Sequence, residues 1–229
     1  MSRVELIGTY GDDKTHALSA WTSTSRELTP EKEARIPVLL EALAREGHLT
    51  PFEKSSLHFL VTVDQATHIH LLKHRIGVSI NGESARYKEL KEDKTYLPAD
   101  WIGKSVAESV WFDVDGSPYT KGLTDWHTIL REFTELSNRL YHQSLAELTP
   151  QLGRKRAKET ARYFKTMNSM ITMDVMFNWR SFMHFVNLRV SKDAQFEVRD
   201  LAERMLFLVD NIPSRPFRHS LKAFGYGGE

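Results

Sequence analysis

Cysteine is absent from this chain of 229 residues. That excludes disulfides, cysteine-ligated zinc or iron–sulfur sites and any thiolate nucleophile. No apolar run approaches the length needed to cross a bilayer. The opening MSRVELIGTY lacks the apolar stretch of a secretory signal, so no membrane association and a cytoplasmic location are expected. Charge of one sign is also missing: 31 Lys and Arg against 30 Asp and Glu leave a net +1, which gives no electrostatic case for nucleic acid. Neither the G-x-x-x-x-G-K-S/T of a P-loop nor the G-x-G-x-x-G of a dinucleotide fold occurs, and no repeat or low-complexity tract interrupts the chain. A 41% hydrophobic fraction with 27% charged residues is that of a soluble globular protein. The length fits a single domain able to bury a real core.

Hydrophobic periodicity supplies the elements. Val4 to Thr9 reads as a short strand. Thr29-Pro30 opens a helix in which Ile36, Leu39, Leu40 and Leu43 recur at helical spacing until Gly47 stops it, with Pro37 expected to bend it. Leu57, Phe59, Val61 and Val63 alternate with polar residues as in a half-buried strand, and a helix is expected over Ala66 to Arg75. Residues 91–124, rich in Asp, Gly, Lys and Pro, read as an irregular excursion. Trp126, Ile129, Leu130, Phe133, Leu136 and Leu140 mark a long amphipathic helix, and a second helix carries Arg162. Met170, Thr172, Asp174 and Met176 alternate in a strand that delivers Asn178 as N-cap to a helix ending near Arg189; Gln195 to Val209 forms another. Strands separated by helices without a βαβ rhythm favour an α+β fold.

The chemistry-bearing stretch is Lys73 to Tyr87, KHRIGVSINGESARY, with three cations, a His, two Ser and two Gly in fifteen positions. Arg forks match phosphate or carboxylate, and Ser hydroxyls and Gly-flanked amides approach phosphate oxygens closely. A phosphorylated small molecule is the first ligand this suggests, although composition alone fits a solvated polar loop equally. His70 and His74 have the i, i+4 spacing of zinc proteases, but HLLKH lacks the Glu of HExxH and places a cation beside the putative metal, so no metal is expected.

Four blocks, in order, resemble the flavin-dependent thymidylate synthases. Lys73-His74-Arg75 followed by Ser79, Asn81, Ser84, Arg86 and Tyr87 is similar to that family's signature, with Lys for the first Arg and eight residues rather than seven between Arg75 and Ser84. Gly82 and Glu83 are both candidates for the family's acidic position before Ser. Gly47-His48-Leu49-Thr50-Pro51-Phe52-Glu53, Glu159-x-Ala161-Arg162, and Asn178-x-Arg180-Ser181-Phe182-x-His184-Phe185-x-x-Leu188-Arg189 complete the resemblance, followed by Ala194, Gln195 and Glu197.

The resemblance implies an antiparallel sheet flanked by helices, assembled as a homotetramer with active sites between subunits. It implies methylation of dUMP to dTMP with methylenetetrahydrofolate as carbon donor, FAD as redox carrier and NADPH as reductant. A chain without cysteine cannot activate uracil C5 by thiolate addition; electrostatic polarisation must do so. In this reading Arg189 meets the uracil edge and favours ionisation at N3. FAD falls to Thr50, Lys73, His74, Arg75, Asn81, Glu83, Asn178, Arg180 and His184. The nucleotide falls to His70, Lys73, Glu83, Ser84, Ala85, Arg86, Arg162 and Arg189, and the folate to His48. Two alternatives stay open: a flavin-dependent pyrimidine nucleotide hydroxymethylase, prompted by Lys73 and the extra loop residue, and a non-catalytic nucleotide-binding relative.

Overall fold

The computed structural model describes residues 2–90, 93–107 and 125–227. Most of the excursion expected at 91–124 lies outside these residues; its described part holds a 3-10 turn, Ala99–Trp101, and the isolated bridges Thr95↔Ser169 and Ser105↔Asp125. The chain divides into two compact units, one of Met1–Val63, Thr67–Gly82 and Thr172–Glu229, the other of Asp64–Ala66 and Glu83–Ile171. The fold is α+β, with an antiparallel sheet flanked by helices, as expected.

The first unit begins with strand β1 (Arg3–Tyr10) and helix α1 (Asp13–Trp21). Sequence reasoning missed α1, because DKTHALSAW carries no clear apolar stripe. What starts it is a capping box: Asp12 accepts from the Thr15 amide at 2.6 Å, and the Thr15 hydroxyl accepts from the Asp12 amide. The single bent helix expected after Thr29 is two helices, α2 (Pro30–Ala34) and α3 (Ile36–Arg45). Pro37 lacks an N–H and clashes with a preceding turn, so it is accommodated in the first turn of a new helix after a break at Arg35. Gly47, at φ +73°, follows the end of α3.

The sheet runs in the order β1-β2-β4-β3, with β2 Ser56–Asp64, β3 Val78–Gly82 and β4 Met170–Asn178. β1 pairs antiparallel with β2 through a bulge at Ile7, and β3 pairs antiparallel with β4. Leu57, Phe59, Val61 and Val63 of β2, with Met173, Val175 and Phe177 of β4, are buried on one face. On β4 the core side is thus the parity opposite to Met170, Thr172, Asp174 and Met176. Those residues share the other face with β2, where Thr62 bonds Thr172 at 2.9 Å and His58 pairs with Asp174. Phe59 stacks on Phe182 of helix α7 (Trp179–Arg189), and Trp179 stacks on Phe217 at 4.7 Å. Truncating a ring in this cluster to Ala should cost about 3–5 kcal/mol. Helix α8 (Phe196–Asp210) packs on β1 and α7, and helix α9 (Arg218–Ala223) packs on α3 and α1.

A buried polar chain ties these pieces together. Asp13 accepts from the amides of His219 and Ser220 at 2.8 Å each and from the Ser220 hydroxyl at 2.6 Å. The Ser220 proton being spent, its oxygen accepts from His16 Nδ1–H at 2.8 Å, and the free Nε2 accepts from the Ser55 hydroxyl at 2.8 Å. Burial holds His16 down at about 4, so the ring is neutral, and burial pushes Asp13 up against its three donors.

The second unit contains helix α5 (Trp126–Leu152), with Asp125 as its side-chain N-cap, and helix α6 (Arg154–Ala161). Tyr141, Leu145, Ala157 and Ala161 form their shared core. Lys165 lies over the Tyr141 ring and bonds Asp93 and Asn138 at 2.8 and 2.7 Å.

Candidate active site

The basic stretch is neither the tail of a helix nor simply a loop. Helix α4 is Gln65–Leu71 rather than Ala66 to Arg75, so Lys73, His74 and Arg75 lie beyond its end. Two hydrogen bonds turn the chain there: Lys73 N to His70 O and His74 N to Leu71 O at 2.9 Å. From Val78 the stretch becomes β3, too short for its alternation to stand out in the sequence.

The turn between these elements is fastened to the start of α7. Asn178 caps that helix by accepting from Ser181 N at 2.8 Å, and its own amide donates to Gly77 O at 2.9 Å. The Ser181 hydroxyl donates to Ile76 O at 2.6 Å. Gly77 has φ +66°, the left-handed conformation in which glycine carries no Cβ penalty. Asn178 is thus the N-cap of α7, as its place at the end of the strand predicts.

This fastening brings His74 to α7. Arg189 Nε donates to His74 Nε2 at 3.1 Å, the ring lies edge-on to Phe185 at 5.0 Å, and His184 stands 6.2 Å away between ring centroids. Burial, then the charges of Arg189, His184 and His70, hold His74 down at about 4. It is a neutral acceptor at physiological pH. Lys73 and Arg75 are exposed.

Two grooves border the turn at Ile76 and Gly77. One, of about 350 Å³, is lined by Leu49, Ile76, Arg180, Ser181, His184, Asn187 and Phe224. Another, of about 480 Å³, includes Glu53, Ser79 and Asn178. Arg180 Nη1 donates to Glu53 Oε1 at 2.6 Å, linking α7 to the Thr50–Lys54 turn that carries Thr50. His48 is exposed just before that turn and is 3.9 Å from the Glu46 carboxylate. Asn81 stands on β3 opposite Asp174. Sequence reasoning missed the contribution of the C-terminal segment: Phe224 enters a groove wall, and the Tyr226 hydroxyl donates to Asn187 Oδ1 at 2.7 Å.

The second unit gathers the other group of expected residues. Ser84 Oγ accepts from Arg86 N at 3.3 Å, and its carbonyl accepts from the amides of Tyr87 and Lys88, so residues 84–88, Ala85 among them, form a tight turn. Arg86 Nε reaches Glu159 Oε1 at 3.3 Å, Arg156 reaches the other oxygen at 3.5 Å, and Arg162 Nε donates to Glu159 O at 3.1 Å. Although burial opposes it, Arg86 and Arg156 hold the Glu159 carboxyl below its usual range. Glu159 thus organises the two arginines from its side chain and its backbone. Arg162 is the C-cap of α6 and opens a 3-10 turn, rather than standing within the helix. Glu83 is engaged by Lys88 Nζ at 2.9 Å, while Gly82 ends β3 opposite Met173. Among the described residues no group of three or more His, Asp or Glu side chains is arranged to hold a metal ion.

The family model for thymidylate synthase complementing protein matches residues 5–213. The flavin-dependent thymidylate synthase of Thermosipho africanus is 31% identical, covering 99% of this chain and 93% of its own length, and that of Streptomyces coelicolor is 28% identical over 83% of this chain and 76% of its own. Among solved structures, the UMP/dUMP methylase PolB from Streptomyces cacaoi bound with 5-Br dUMP superposes with a TM-score of 0.73 at 26% identity, covering 99% of this chain and 96% of that one. With a family match spanning most of its length and a relative 31% identical over nearly the whole of both chains, the chain belongs to the thymidylate synthase complementing protein family and is an enzyme of the flavin-dependent thymidylate synthase type.

Proposed function

We propose that this protein, acting as one domain per subunit of a homotetramer in the cytoplasm, methylates dUMP to dTMP, with methylenetetrahydrofolate as carbon donor and NADPH as reductant. What supports this reading most is a sequence match running from residue 5 to 213 that includes His74, Arg86, Arg162 and Arg189. When bound, FAD supplies hydride for the reduction. The residues fit such a group: exposed cations at Lys73 and Arg75 suit its diphosphate, and the groove bearing Arg180, Ser181 and His184 beside Leu49 and Phe224 offers apolar walls with a few polar groups for a ring system. Asn81, Glu83, Asn178 and Thr50 complete that set, and His48 receives the folate.

The chain's own work is positioning and electrostatics. Ser84, Ala85, Arg86 and Arg162 hold the nucleotide, with the phosphate opposite the two guanidiniums, while His70, Lys73 and Glu83 assist. Arg189 faces the uracil edge and stabilises negative charge that develops at N3, which raises electron density at C5. No thiol takes part.

A second substrate is favoured by one observation. PolB is a UMP/dUMP methylase with structures bound to 5-Br UMP as well as 5-Br dUMP, and the former covers 98% of this chain. UMP belongs in the assay for that reason. Purified protein is incubated with dUMP or UMP, methylenetetrahydrofolate and NADPH, with and without FAD, and the nucleotide product is weighed by mass spectrometry. FAD-dependent thymidylate is expected. A hydroxymethylated product would move the chemistry to a hydroxymethylase, and nucleotide binding without flavin or turnover would make this a non-catalytic relative.

A further inference from the structure

We propose that His74 is a positioning residue for Arg189, accepting its Nε–H so that the guanidinium meets the nucleotide through its two terminal nitrogens. This rests on the reading of Arg189 given above but assigns to His74 a role distinct from contact with flavin.

The geometry requires a particular arrangement of protons. A guanidinium has only donors, so the 3.1 Å contact makes His74 Nε2 an acceptor and puts the ring proton on Nδ1. Protonation of Nε2 would replace this bond with a donor facing a donor and a cation facing a cation. His74 resists it, being held at about 4 by burial and by Arg189 and His184 from α7 and His70 from α4. The ring itself is held. Phe185 meets it edge-on at 87°, and the backbone two and three residues on, at Ile76 and Gly77, is fastened by Ser181 and Asn178.

The consequence lies in the fork. A guanidinium can address a planar partner through Nε with one terminal nitrogen, or through both terminal nitrogens. His74 occupies Nε and leaves the second mode. A ring edge bearing adjacent acceptors, as ionised uracil does around N3, suits that pair of donors.

The test is a double-mutant cycle on the flavin-loaded protein, comparing Arg189→Ala, His74→Leu, His74→Gln and the Arg189→Ala/His74→Leu double variant, with kcat, KM for dUMP and flavin absorbance per subunit measured for each. Losing the acceptor in His74→Leu should reduce kcat/KM on the order of ten- to a hundredfold. His74→Gln should recover most of it, since its amide oxygen can accept the same proton. In the Arg189→Ala background His74→Leu should have no further effect. Equal losses for Leu and Gln, full multiplication of effects in the double variant, or a loss matched by lost flavin would each overturn the proposal. Should His74→Leu fail to fold, a loss of tenfold or more in His74→Gln overturns it and a smaller loss supports it. If the wild-type protein makes no methylated nucleotide, the functional reading fails separately; the cycle is then read on dUMP affinity by calorimetry, where non-additivity supports the coupling and additivity overturns it.

Discussion

Gly77 sits so tightly against Asn178 that a β-carbon built on it would lie 2.8 Å from Asn178 Cγ, and closer still to Nδ2 and to the Ser181 hydroxyl. Gly77→Ala must therefore move the cap of α7 as well as occupy a left-handed backbone. The expected loss is about 2–5 kcal/mol, combining roughly 1–2 from the conformation with overpacking of 1–3. Gly47→Ala separates the two contributions, because Gly47 has φ +73° with nothing within 4 Å. Urea denaturation should show Gly47→Ala losing only the conformational part. Equal losses would refute the docking of the turn on α7.

Acid should weaken the fold through His16. Its folded pKa, about 4, lies below the ordinary 6.5, so the unfolded chain binds more protons between these values and stability falls as pH drops from 6.5 towards 4. Above 6.5 the contribution is fully present; below 4 about 3 kcal/mol has gone. Urea midpoints from pH 7.5 to 4 should fall less steeply in His16→Gln, which starts from a lower stability. Parallel curves for the two proteins would show that His16 does not carry the effect.

Arg86 and Arg162 share Glu159, one on its carboxylate and one on its carbonyl. Replacing either arginine by Ala should raise the KM for dUMP on the order of tenfold or more while moving the melting temperature little, since ion pairs this exposed contribute about 0–1 kcal/mol. Steady-state kinetics with parallel melts decides. A large melting shift with unchanged KM would make both residues structural.

The Arg180–Glu53 pair joins α7 to the turn bearing Thr50. Arg180→Ala removes both that strut and a donor in the groove, whereas Glu53→Gln retains a hydrogen-bonding partner. Flavin retained after gel filtration, read as flavin absorbance per subunit, should fall severalfold in the first and less in the second. The reverse order would remove Arg180 from the flavin set.

Much of this was legible because the signals were local. The alternation around Phe59 and Val61, the N-cap at Asn178 and the amphipathic run from Trp126 each fix an element through near neighbours. The break at Arg35 and the early end of α4 were not, since helical periodicity continues across both and only the chain's turn reveals them. The site residues could be named from motifs, yet their partners could not. His74 and Arg189 are 115 positions apart, Arg86 and Glu159 73, and Gly77 meets Asn178 only in the folded chain. Position in a motif carries no information about who donates to whom.

The buried chain from Asp13 through Ser220 and His16 to Ser55 also bears on how the molecule is made. Asp13 and Ser220 lie 207 positions apart, so on the ribosome α1 must wait for all the intervening residues before its carboxylate and imidazole find their donors and acceptors out of water. A nascent chain ending before His219 leaves Asp13 without its three donors and His16 with Ser55 alone, and their desolvation opposes closure of that part of the core. Completion of this unit is thereby coupled to synthesis of α9, the helix that carries the last of these partners.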